Sequence, residues 1–291
     1  MSGAECPALD TVKSAGIFAI GRGAAPDVSV VLPSYRAAAL ALRSVDRIRE
    51  TLAREQLSRE IIVVDDGGGD FASDAFEGDP DVRLLRLPRN VGKGAAVAAG
   101  MRQARGRVRI FTDVDLPYDP DLMPVMVAYI IERGFHLVIG DRTLRGSSYH
   151  LKLGLTRRAL SGVFSAFVGT IVTGGFFDTQ CGLKAIRGDV ADVLFRLIRI
   201  DRFAFDVELV YLALKYGADI KRVPVQLERN DTSSVRVWRD SIRGAFDVLR
   251  IKYNQMSGRY HSPELAAIVA ADFESARGDG SNGRRERALA P

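Results

Sequence analysis

Between Val28 and Asp115 the chain alternates short, wholly apolar runs with longer amphipathic ones. Val28-Ser-Val-Val-Leu32 is apolar and β-branched and is stopped by Pro33, the pattern of a parallel strand buried on both faces. Ala37 to Gln56 carries Leu40, Val45, Ile48 and Leu52 at helical spacing, with charges on the opposite side. Ile61-Ile-Val-Val64 predicts a second buried strand and Val82 to Leu87 a third. An Ala-rich helix follows, to about Ala104, and Val108 and Ile110 open a fourth strand that ends in Phe111-Thr-Asp-Val-Asp115. Strands alternating with helices through short linkers predict an α/β chain, a mostly parallel sheet covered by helices on both faces. Ligands of such sheets bind beyond the carboxyl ends of the strands. Asp65 to Asp70, Arg89 to Gly94 and Asp113 to Asp115 all fall at that end.

Each of these clusters admits two readings. Asp113 and Asp115, one residue apart at a strand end, can hold a divalent cation such as Mg²⁺ or Mn²⁺ against a diphosphate, because these ions take oxygen ligands and keep positions for water and phosphate. The same spacing also occurs in ordinary solvated turns. Asp65 and Asp66 can accept hydrogen bonds from a base or a ribose, with Gly67 to Gly69 allowing close approach; a plain glycine-rich turn looks the same. Asn90-Val-Gly-Lys93-Gly94 places backbone N–H groups and a lysine where an anion can sit at a helix start. It lacks the spacing of a P-loop.

Composition narrows the class. The 291 residues suffice for one large α/β domain or two small ones, and 47% hydrophobic residues can build a sizeable core. The net charge of +5 suits an anionic partner. No Lys/Arg-rich run interleaved with aromatics points to nucleic acid. Cys6 and Cys181 are too few and too far apart for a disulfide framework or a zinc site, and a cytoplasmic location is expected. Residues 1–26 read as a loose leader, 27–256 as the folded domain and 257–291 as a disordered polar tail. Ala159 to Phe177 is uncharged and nearly of membrane-spanning length, but its glycines favour a buried or interfacial helix. Arg236 to Asn254 is a basic amphipathic helix that can pack on the domain or lie on an anionic membrane.

Taken in order and spacing, Val28-Ser-Val-Val-Leu-Pro-Ser-Tyr35, Ile62-Val-Val-Asp-Asp-Gly67, Asn90-Val-Gly-Lys-Gly94 and Asp113-Val-Asp115 resemble the family 2 glycosyltransferases. Asp178-Thr-Gln-Cys-Gly-Leu-Lys184 and Arg202-Phe-Ala-Phe-Asp-Val-Glu-Leu209 are similar to the branch of dolichyl-phosphate and polyprenyl-phosphate glucosyl- and mannosyltransferases. The resemblance covers roughly Val28 to Asn254 and implies a GT-A fold, a single Rossmann-like sheet. It implies a donor pocket of Pro33, Tyr35, Asp65, Asp66, Lys93 and Asp113, and a metal, Mg²⁺ or Mn²⁺, held by Asp113 and Asp115. Arg142 would lie near an acceptor phosphate, and Asp178, Gln180 and Lys184 would face the reacting centre. Asp206 and Glu208 match a late acidic block.

Three features depart from that family pattern. Gly68 and Gly69 stand where a serine is usual, Ser233-Ser-Val-Arg236 replaces a Ser-Lys pair, and no membrane helices follow the domain. The resemblance implies transfer of a hexose, glucose by preference from UDP-glucose, to a polyprenyl phosphate or another phosphorylated acceptor, with inversion and with peripheral contact at the cytoplasmic membrane face. Two alternatives stay open: a soluble enzyme glycosylating a small metabolite, and a nucleotide-sugar-binding subunit without turnover.

Overall fold

The computed structural model describes residues 25–147, 178–179, 181–227 and 237–278. Seven strands form one sheet. They are β1 (Val28–Ser34), β2 (Arg59–Asp65), β3 (Val82–Arg86), β4 (Val108–Phe111), β5 (Leu137–Asp141), β6 (Lys184–Arg187) and β7 (Ile220–Pro224). Their order across the sheet is β3-β2-β1-β4-β6-β5-β7. All pairings are parallel except those of β6, which runs against both β4 and β5. β1 continues through Pro33 to Ser34, two residues beyond the expected end at Leu32, with Pro33 opposite Val64.

The sheet is buried on both sides, which explains why its strands are apolar runs and do not alternate. Val30, Leu32, Ile61, Val63 and Ile110 point into one core with helices α1 (Ala38–Arg54) and α3 (Leu122–Ile131). Val31, Ile62, Val64, Phe111 and Ile139 point into the other. There they meet α2 (Lys93–Gln103), α4 (Gly188–Leu197), α5 (Phe205–Lys215), α6 (Val237–Met256) and α7 (Pro263–Gly278). Helix α1 buries Ala41, Val45, Ile48 and Leu52, the stripe that its spacing predicts.

The expected domain edge at residue 256 lies inside the packed structure. Tyr260, Leu265 and Val269 are buried in the second core. Asp272 on α7 meets the Nε2 of the buried His136 at 2.8 Å and the Arg187 guanidinium at 2.7 Å. The polar, glycine- and arginine-rich residues further on hid a helix whose Leu265 and Val269 point inward, while Phe273 stays half exposed. The leader up to residue 24, Ala159–Phe177 and residues 279–291 lie outside the described residues. Among those described, no helix is long and apolar enough to cross a membrane.

Two topological facts place the chemistry. The chain reverses direction across the sheet between β1 and β4, and the crevice outside such a switch point is where α/β sheets bind ligands. β6 is antiparallel, so its first residue rather than its last stands at that end. Lys184 pairs with Phe111 in the ladder, which brings Gly182 against Asp113 in the turn beyond β4.

Candidate active site

The glycine-rich loop after β2 is held together by its own carboxylates. Asp65 accepts the backbone N–H of Gly68 at 2.7 Å and of Gly69 at 3.2 Å. Asp66 accepts those of Val91 at 2.8 Å and Gly92 at 3.0 Å, tying this loop to the start of α2. Asp70 accepts the Ala38 N–H at 2.8 Å and so caps α1. A carboxylate has about four acceptor positions, so these bonds shape the pocket without exhausting Asp65 or Asp66. The Gly68 departure also has a structural cause: a Cβ there would lie 2.6 Å from the Arg36 backbone nitrogen. Tyr35 stands exposed at the rim, with the Arg36 guanidinium 5.2 Å above its ring. Arg36 (φ 53°) and Leu116 (φ 44°) hold left-handed backbone directly beyond the site residues of β1 and β4. Such conformations cost energy and concentrate where a loop must aim functional groups.

Asp113 is the hub. Its Oδ1 lies 2.5 Å from the Lys93 ammonium, whose side chain is only 16% exposed. Burial works against the charge on Lys93, but Asp113, Asp206 and Asp115 outweigh it and hold the amine above its ordinary pKa. The other face of Asp113 packs on Gly182, where an added Cβ would lie 2.1 Å from Oδ2, so any side chain there must displace the carboxylate. Asp113 and Asp115 offer hard oxygen donors of the kind Mg²⁺ and Mn²⁺ take, and two protein carboxylates suffice where water and diphosphate complete the shell. A cation, the Lys93 ammonium, already sits at the first of them. Among the described residues no group of three or more His, Cys, Asp or Glu forms a preformed metal cage.

Arg142 and Asp178 form one unit. Asp141, at the end of β5, is fully buried and accepts both the N–H and the hydroxyl of Thr143 and the Nε–H of Arg222. This fixes the turn that projects Arg142. Asp178 then accepts three bonds from Arg142: the backbone N–H at 2.8 Å, Nε at 3.0 Å and Nη2 at 2.6 Å. Burial would raise the Asp178 carboxyl, but the forked Arg142 contact holds it below the ordinary carboxylate range. The nearby Cys181 thiol is buried and pushed up to about 11, which keeps it protonated and unreactive.

Lys184 does not open onto the cleft as expected. It is fully buried, with its ammonium 2.6 Å from the Cys181 carbonyl and 2.5 Å from Asp206, above the Phe111 ring. A group so enclosed acts on the site through the residues it holds. Gln180 lies outside the described residues, as does Ser233–Arg236.

Asp206 is the residue the motif reading left without a role. It is buried at the start of α5, and burial pushes its carboxyl up against the pull of Lys184 and Lys93. Its partner in the late acidic block does different work. Glu208 accepts the N–H groups of Arg199 and Ile200 and the Tyr260 hydroxyl, anchoring the turn between α6 and α7. A cleft of about 200 Å³ opens beside Lys93, walled by Asn90, Arg202, Phe203, Gly244 and Asp247. Neither Phe203 nor α6 carries a spacing signal that would have announced it.

An acidic pair at the end of β4, a lysine and glycine loop facing it, and one antiparallel strand delivering a second motif to the same place define the class: a glycosyltransferase of the GT-A fold. The chain belongs to glycosyl transferase family 2, whose profile matches residues 29–191. A dolichyl-phosphate β-glucosyltransferase of Dictyostelium discoideum is 31% identical over 246 residues, covering 79% of this chain and 75% of that protein. The human dolichyl-phosphate β-glucosyltransferase is 28% identical over 255 residues, covering 80% and 77%. Among solved structures, mannosyl-3-phosphoglycerate synthase of Rubrobacter xylanophilus superposes with a TM-score of 0.61 at 18% identity, covering 82% of this chain and 77% of that one. Glucosyl-3-phosphoglycerate synthase of Mycobacterium tuberculosis, solved with Mn²⁺, UDP-glucose and phosphoglyceric acid, gives 0.56 at 18% identity, covering 85% of each chain.

Proposed function

We propose that this glycosyltransferase moves glucose from UDP-glucose to a polyprenyl phosphate with inversion at the anomeric carbon, at the cytoplasmic face of a membrane. The observation that carries the acceptor class is the Arg142–Asp178 fork. An alcohol acceptor needs a general base, and Asp178 is the carboxylate that the family resemblance would nominate. Here it accepts three bonds from Arg142 and is held acidic, so it is a poor base. A phosphate monoester needs none, because it is already ionised near neutral pH. What it needs is a cation to orient it, and Asp178 holds the Arg142 guanidinium in one position for that task. The dolichyl-phosphate relatives support the same reading.

In the reaction a phosphate oxygen of the acceptor bonds to C1 of the sugar as the bond from C1 to the donor diphosphate breaks, and nucleoside diphosphate leaves with the electron pair. Asp113 and Asp115 would hold a divalent cation, which supplies Lewis-acid stabilisation of the leaving diphosphate when bound. Lys93 adds a second positive charge beside Asp113. Pro33, Tyr35, Asp65 and Asp66 shape the base and ribose pocket, and Asp206 with Lys184 supports the floor beneath Lys93 and Asp113.

A second reading has one observation in its favour. A solved neighbour of the same fold carries UDP-glucose together with phosphoglyceric acid, a small phosphorylated acceptor. One assay separates the two: purified protein with UDP- and GDP-hexoses and Mn²⁺, offered polyprenyl phosphate, water-soluble phosphates or alcohols. Release of UDP with polyprenyl phosphate alone is expected; turnover only with a soluble phosphate would move the acceptor to the second class. Asp115→Ala is expected to abolish transfer in a folded protein, and retained activity would remove the metal from the mechanism.

A further inference from the structure

Helix α6 is apolar on two opposite sides. Val248, Ile251 and Asn254 are buried against the domain. Phe246, Leu249, Tyr253 and Met256 are 67%, 54%, 60% and 87% exposed. At 3.6 residues per turn these four fall within an arc of about 80°, directly opposite the buried side. Large apolar side chains exposed singly are ordinary, but four in one stripe on one helix mark an interaction surface.

Cations flank the stripe on both sides. Arg250 lies along one edge and Lys252 along the other, and Arg259, just past the helix, stacks 5.5 Å over the Tyr253 ring. A partner for this face must accept an apolar wedge and answer a positive rim, which is the chemistry of an anionic lipid surface. The helix that carries the stripe also borders the site, with its opposite, inward side. Gly244 and Asp247, on the same helix as Phe246, wall the cleft that contains Lys93 and the exposed Phe203, and Lys93 holds Asp113.

We propose that the outward stripe of α6 docks the enzyme on an anionic bilayer, with Phe246, Leu249, Tyr253 and Met256 in the interface and Arg250, Lys252 and Arg259 at the headgroups. The proposal rests on the polyprenyl-phosphate reading for its purpose, and its test is arranged so that the two fail separately. The full chain is sedimented with vesicles of phosphatidylcholine, and with vesicles containing phosphatidylglycerol as well, neither holding any acceptor lipid. Binding to the anionic vesicles is expected, weakening as salt is raised. The double variant Leu249→Glu/Tyr253→Glu is expected to bind roughly tenfold less well. Both positions are exposed, so its thermal midpoint should match that of the wild type.

The same variant should still transfer glucose to a short-chain, water-soluble prenyl phosphate at the wild-type rate. Equal vesicle binding by variant and wild type would overturn the proposal, as would binding that appears only once polyprenyl phosphate is added. A concentration-dependent dimer that the variant abolishes, without vesicle binding by either form, would assign the stripe to a second copy of the chain and overturn it too. Failure of transfer to every prenyl phosphate, with docking intact, would instead count against the acceptor reading.

Discussion

Lys184→Met tests whether the buried lysine is a structural charge or part of the machinery. Methionine keeps the length of the stem and removes the ammonium, which contacts the Cys181 carbonyl at 2.6 Å and Asp206 at 2.5 Å in a fully buried setting. Asp206 is then left in an apolar core, and its nearest remaining counter-charge, Lys93, is engaged by Asp113. Removing one member of a buried ion pair costs about 3–5 kcal/mol, and Lys93 nearby favours the lower end. At roughly 2–4 °C per kcal/mol for a domain of this size, about 3 kcal/mol lowers the melting temperature by roughly 6–12 °C. Differential scanning calorimetry reads this directly.

The pH dependence has a definite sign. The lone Asp206 carboxyl titrates higher in the folded than in the unfolded chain, so the variant's deficit is full above the folded value and shrinks as pH falls through it. Lys184→Met/Asp206→Leu removes the stranded charge as well and should recover most of the lost stability. It should not recover transfer, because Asp206 then no longer balances Lys93. An unchanged melting temperature in the single variant, or full activity in the double one, would refute the reasoning.

Gly182→Ala drives a methyl to within 2.1 Å of Asp113 and is expected to cut transfer roughly hundredfold through a displaced carboxylate, with a smaller loss of thermal stability. Lys93→Met removes the ammonium that competes for Asp113, so Mn²⁺ binding to the donor-free protein, read by electron paramagnetic resonance, should tighten by about tenfold while UDP binding weakens. The pH profile of kcat/KM should rise through about pH 6 as the acceptor phosphate takes its second charge, and stay flat to about pH 8. Asp178→Asn should lower the rate without moving that limb; loss of the limb in the variant would restore Asp178 as a base. Asp178 also affects stability: its folded pKa is depressed, so its contribution is present above the unfolded value near 3.8 and is lost as pH falls through the lower folded one.

The pattern of apolar runs determined the parallel half of the sheet. A strand buried on both faces must be apolar at every position, and helices that cover it must show one apolar stripe, so β1, β2, α1 and α2 could be read within a few residues of their ends. The Asp-, Gly- and Lys-containing clusters could be placed at the ligand end because strand direction alone dictates it. Local pattern says nothing about which strands become neighbours, and that is what decided the rest. Inserting β6 antiparallel between β4 and β5 carried Gly182 onto Asp113 and Asp178 onto Arg142, contacts between residues far apart in sequence. The same insertion buried Lys184, whose motif had suggested an open role, because its ladder partner Phe111 lies in the middle of the core. Burial is a property of the packed neighbours and not of the residue's own spacing. For the same reason α7, expected to belong to a disordered tail, turned out to be anchored by Leu265 and Asp272, with Tyr260 just ahead of it. The outward face of α6 shows the limit from the other side: periodicity marks an amphipathic helix, but only the fold tells which of its two apolar sides is covered.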